Sequence, residues 1–122
     1  MTWYRVVFTG VMMDVEGERR TPVTDSERVK GSANRILEEM VKLGASSPRV
    51  ETWPSNARVQ VEVRVQEESE VVLATMAGFV MIRTAVHAAG LGTPGWQVEW
   101  LETTTVSSDD DGRSARQEPI TA

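Results

Sequence analysis

Hydrophobic and polar positions alternate most cleanly at 58–66. Val59, Val61, Val63 and Val65 take one parity, and Arg58, Gln60, Glu62, Arg64 and Gln66 take the other. A period of two marks a strand with one face buried and the other wet. Trp3 to Met13 is rich in aromatic and β-branched residues, with Tyr4, Val6 and Phe8 on one parity and Trp3, Arg5, Val7 and Thr9 on the other, and reads as a first strand. Shorter strands are expected over Arg49 to Trp53, closed by Pro54-Ser55-Asn56, and over Trp96 to Trp100.

Two stretches carry helical signals. Thr24-Asp25-Ser26-Glu27 matches a capping box, in which the Thr24 hydroxyl takes the Glu27 amide and the Glu27 carboxylate returns to the cap. From there Val29, Ala33, Ile36, Leu37 and Met40 share one face, and Gly44 can end the helix in a left-handed conformation. The second helix is expected over Val71 to Ala89, after the acidic run Glu67-Glu68-Ser69-Glu70 and before Gly90. The polar stretch Asp14 to Pro22 is long for a β-to-α connection and forms either a small hairpin or a mobile loop.

The element order β-α-β-β-α-β predicts an α+β fold, the ferredoxin-like split βαβ arrangement. That fold is a four-stranded antiparallel sheet carrying two helices on one face. Its length, 122 residues, suits one hydrophobic core, expected over 1–104. Residues 105–122 lack apolar periodicity and read as a flexible acidic tail. No basic stretch followed by an apolar run opens the chain, so a cytoplasmic location is expected.

Composition narrows the chemistry. There is no cysteine and a single histidine, so no thiolate nucleophile, Cys-ligated metal or other cofactor is expected. Thirteen bases against 18 acids give a net charge of −5, which opposes a phosphate backbone. The basic residues Arg19, Arg20, Arg28, Lys30 and Arg35 are interleaved with acids. Local nucleic-acid binding through 19–35 is therefore the weakest of three functional readings, and the valine strand offers no aromatic on its wet face on which a base could stack.

Two motif matches fail on context. Gly90 to Gly95 spells GxGxxG, but it follows a helix and precedes a strand, the reverse of what a pyrophosphate cradle needs. Ser107 to Glu118 partly mimics a calcium loop, yet Ser107 replaces the first carboxylate and no amphipathic helix flanks the segment.

Arg83 and His87 are spaced i, i+4 and so share a face of the second helix. As a catalytic pair, Arg83 would clamp an anion and His87 would act as general acid or base, although a positioned third group is not evident. Cations are also favoured at a helix C-terminus without any function. Trp96 and Trp100 share parity with Val98 and are expected in the core. Trp3, Arg5, Trp53 and Arg64 are expected on the open sheet face or an edge, as contacts for a ligand or partner.

The second helix itself is the most informative feature. A helix covering one sheet face needs an apolar stripe of about 100°, whereas this one is apolar almost all round. It approaches membrane-spanning length, but Arg83 and His87 would be costly in lipid, so no membrane span is expected. Ala74 and Gly78 form a small-xxx-small ridge that a second helix could approach, which makes Ala74, Gly78, Phe79 and Met81 the expected interface of a homodimer or higher homo-oligomer. The leading expectation is a non-enzymatic, self-associating domain that binds a small ligand or protein partner. The alternative is a small enzyme built on Arg83 and His87.

Overall fold

The computed structural model describes residues 2–67, 70–90 and 95–107. The described residues form an α+β fold, with five antiparallel strands and two α-helices. β1 (Thr2–Glu16) turns into β2 (Arg19–Pro22), then α1 (Ser26–Lys42), β3 (Ser46–Trp53), β4 (Arg58–Glu67), α2 (Val71–Ala88) and β5 (Trp96–Ser107). Across the sheet the full-length strands run β3-β4-β1-β5, all pairs antiparallel.

The fifth strand corrects the expectation of four. The polar 14–23 stretch folds back as a hairpin, with Glu16 opposite Arg19 and Gly17 at φ 62, a left-handed value that glycine adopts without a Cβ clash. Met12 donates its amide to the Ala57 carbonyl (2.8 Å) and accepts from the Val23 amide (2.9 Å). Both groups of Met12 face the same side, so β2 continues the edge of β1 that β4 leaves.

Strand parity sets the two faces of the sheet. Val6 opposes Val63, Phe8 opposes Val61 and Gly10 opposes Val59; these valines are wholly or almost wholly buried beneath the helices. The other parity pairs Arg5 with Arg64, Val7 with Glu62 and Thr9 with Gln60 on the open face. Both helices lie on the valine side, α1 through Val29, Ala33, Ile36 and Met40, and α2 through Ala74, Gly78, Ile82, Ala85 and Val86.

Helix ends follow local chemistry, with one correction. The cap of α1 is Asp25 and not Thr24: Asp25 Oδ1 accepts from the amides of Glu27 (3.0 Å) and Arg28 (3.3 Å). Asp is at least as good a cap as Thr, and its carboxylate also suits the positive helix end. At the far end Gly44 sits at φ 80, with Ala45 N–H donating to Met40 O and Gly44 N–H to Val41 O. This is the paired closure that a left-handed glycine permits. Gly90, at φ 96, stops α2 as expected.

β5 is much longer than the Trp96 to Trp100 stretch that alternates in sequence. It pairs with β1 from Asp14↔Trp96 to Tyr4↔Ser107, with a register shift between Thr9 and Gly10. Thr103, Thr104, Thr105 and Val106 are β-branched and suit a pleated surface despite their polarity. Residues 105–107, the start of the expected tail, form the end of β5. The rest of the expected tail, the remaining calcium-loop positions and Leu91 to Pro94 of the glycine motif lie outside the described residues.

Candidate functional site

Among the described residues, two depressions gather arginines on opposite sides of the sheet. The first is a groove of about 290 Å³ between α2 and β5. Its apolar walls are Phe79, Val86, Val98 and Trp100, and its polar groups are Arg83, His87 and Gln97. The walls are rigidly built: Phe8 in β1 stacks against Phe79 (5.4 Å between centroids) and meets Trp100 edge-on (5.7 Å, 71°). Arg83 and His87 are thus brought together beside a concavity, as their i, i+4 spacing predicts, and both remain exposed.

Among the described residues no carboxylate forms an ion pair with either of them. Gln97 is their polar neighbour, and its Oε1 accepts from Arg20 (3.2 Å). An acid–base histidine needs an orienting partner to hold its tautomer and ring plane. No group of three His, Asp or Glu that could hold a metal occurs among the described residues.

The second place is on the open face. Arg5 and Arg64 stand directly opposite each other on β1 and β4, and β3 adds Arg49 opposite Glu62. These four side chains, with Ser47 and Pro48, line a depression of about 290 Å³. Trp3 lies one pair further along, opposite Gln66. Trp53 pairs with Arg58 at the other end of the sheet, four residues along β3 from Arg49 or about 13 Å. Of the four expected contacts, Trp3, Arg5 and Arg64 therefore share one neighbourhood and Trp53 does not. Arg49 is not among them, because the sequence marks its stretch only as a short strand and does not say which strand it pairs with.

The expected interface residues are placed differently from their prediction. A Cβ built on Gly78 would lie 2.8 Å from Val6 Cγ1 and 2.9 Å from Val6 Cβ, so the body that approaches Gly78 is the chain's own central strand. Ala74 is wholly buried on the same side. Phe79 and Met81 are half-buried against the core. Gly78 is used for close approach, but to a sheet.

What α2 leaves exposed is another row. Val72, Met76 and Val80 are spaced i, i+4 and are 59%, 58% and 61% exposed, with Leu73 (43%) beside them. By length and composition α2 could cross a bilayer, yet five of its residues are locked onto the core. Trp96 and Trp100 flank Val98 as half-buried walls packed against the core, as expected from parity.

A third cluster is structural. Arg28 makes a two-pronged ion pair with Asp14 (2.7 and 3.2 Å) and lies over the Trp96 ring at 5.1 Å, tying the start of α1 to β1 and β5.

Comparison of the chain with protein-family models, with curated proteins and with solved structures finds no match.

Proposed function

We propose that this chain is a cytoplasmic, non-enzymatic binding module of ferredoxin-like arrangement that pairs with a second copy of itself through α2. The strand order β3-β4-β1-β5 supports the split βαβ arrangement, with β2 as an added hairpin. The observation that carries self-association is the exposed row Val72, Met76 and Val80 on a helix whose opposite side is already buried. Unbroken apolar rows of this kind mark interaction surfaces.

Charge selects the occupant and its direction. Glu70 is exposed at the start of α2, and Arg83 and His87 lie towards its end, outside the apolar row. Two such helices packed antiparallel about Met76 place Val72 of one copy near Val80 of the other, and Glu70 within about a turn of the opposing Arg83. Parallel packing would instead set like charges together. The antiparallel pairing is self-complementary, as a two-fold interface requires.

Sedimentation velocity tests this. The wild-type protein should sediment as a dimer, Met76→Glu as a monomer, and Glu70→Lys should weaken the dimer and be rescued by adding Arg83→Glu. A wild-type protein that stays monomeric at millimolar concentration, or an Met76→Glu variant that stays dimeric, overturns the reading.

A second reading rests on the groove beside His87. With Arg83 clamping an anion and His87 moving a proton, the apolar walls would hold a small organic acid and the chain would be an enzyme. His87→Gln would abolish turnover in that case and leave dimerisation intact. Local nucleic-acid binding by 19–35 has less support, since Arg20 and Arg28 are engaged with Gln97, Glu99 and Asp14.

A further inference from the structure

The open sheet face carries an arrangement that folding alone does not explain. Directly opposed residues on adjacent antiparallel strands have their Cβ atoms about 5 Å apart, and like charges in that relation are destabilising. Arg5 and Arg64 are so opposed. Arg5 Nε is buried and has no hydrogen-bond partner among the described residues, an arrangement that costs desolvation without return. A third guanidinium, Arg49, arrives from β3, where Glu51 holds it at 3.1 Å. The lining contains one carboxylate, Glu62. Three guanidiniums against Glu62 and Glu51 leave a positive charge unmatched.

The backbone beside them is also held out of its ordinary range. Ser47 sits at φ 48, within an irregularity between Ser46 and Arg49 that shifts the β3–β4 register. A non-glycine residue in that region is strained, and such strain concentrates where the chain is shaped for a ligand. The bulge displaces Pro48 and Arg49 so that they wall one side of the depression.

We propose that this depression binds a small molecule bearing a phosphate monoester. A doubly charged tetrahedral anion answers each oddity: it separates Arg5 from Arg64, gives the Arg5 Nε–H an acceptor and competes with Glu51 for Arg49. Guanidinium forks match phosphate oxygens two at a time. The volume is at the lower end of small-molecule sites, which limits the ligand to a compact one. This deepens the binding-module reading by assigning its ligand class, and it lies on the sheet face opposite α2, so the two can fail independently.

The test is an NMR titration at fixed ionic strength, following the Arg side-chain Nε–Hε signals and backbone amides, with inorganic phosphate, phenyl phosphate and malonate as probes against chloride. Phosphate and phenyl phosphate should shift the Arg5 Nε–Hε signal and the amides of Ser47, Arg49, Glu62 and Arg64 saturably, with malonate weaker. Arg64→Gln should weaken phosphate binding by about tenfold or more, the worth of one charge-assisted hydrogen bond. Because Arg64 is exposed, that variant should fold; Lys42→Gln, an exposed residue of α1 on the helix side of the sheet, should bind as wild type. Shifts no different from those in chloride, a stronger response to malonate, or unchanged phosphate binding by Arg64→Gln would each overturn the assignment, whatever the sedimentation result.

Discussion

Gly78→Ala separates two uses of a small residue on an apolar helix. If Gly78 faced another copy, alanine would raise helix propensity by roughly 1 kcal/mol and damage only the dimer. The structure instead puts the new methyl 2.8, 2.9 and 3.0 Å from three carbon atoms of Val6, a wholly buried residue of the central strand. One of those atoms is the Val6 Cβ, which cannot move without the strand. Overpacking a core of this kind costs about 1–3 kcal/mol, and these contacts belong at the upper end. Subtracting the propensity gain leaves a net loss of roughly 1–2 kcal/mol. At about 4 °C per kcal/mol for an ordered domain near 100 residues, Tm should fall by about 4–8 °C. Circular dichroism melts at matched protein concentration provide the measurement, since self-association itself shifts Tm. Val6→Ala added to Gly78→Ala should cost less than the two single changes summed, by about 1 kcal/mol or more. A Gly78→Ala protein that melts at or above the wild-type temperature would refute the packing account, and if it also sedimented as a monomer, it would return Gly78 to the interface.

Three further outcomes follow from local geometry. Asp25→Ala should lose about 1 kcal/mol in urea denaturation through the two amides it leaves uncapped, whereas Thr24→Ala should stay within about 0.5 kcal/mol; the reverse order would restore the Thr24 capping box. Arg28→Lys gives up the fork to Asp14 and the stacking on Trp96, and because both charged side chains are more than a third exposed the loss should be only about 1 kcal/mol, with a change in tryptophan fluorescence as its local signature. Gly44→Ala meets no atom within 4 Å, so the roughly 1 kcal/mol it should cost comes from backbone strain at φ 80, and an unchanged urea midpoint would contradict the helix ending described.

Periodicity made the central elements legible. The valine alternation at 59–65, the apolar spacing of α1 and the glycines at 44 and 90 are local signals, and each is decided by atoms within a few residues. The stretch around Gly17 reads in sequence as either a hairpin or a loop, and the structure takes the hairpin; the extension of β5 through Thr103 to Ser107 is obscured because its residues are mostly polar and are held by pairing with β1, a contact remote in sequence. The same distance explains the site. Arg83 and His87 share a helix face by arithmetic, whereas the meeting of Arg5, Arg49 and Arg64 depends on three strands and a bulge. Apolar composition alone could not tell which side of α2 the sheet would take, so Ala74 and Gly78 pointed to a partner, whereas Gly78 meets Val6 of the sheet and Ala74 is buried within the chain.

β1 lies between β4 and β5, and β5 is the last strand of the described chain. During synthesis the first strand leaves the ribosome long before either neighbour, and one flank stays bare until residues 96–107 have emerged. A nascent chain ending before Trp96 therefore carries the hydrogen-bonding edge of Tyr4 to Asp14 uncovered, together with Phe8 and Met12 stripped of their cover from Trp100 and Val98. Such edges recruit other strands. Arrested chains of that length should depend on holding factors that the finished protein no longer needs.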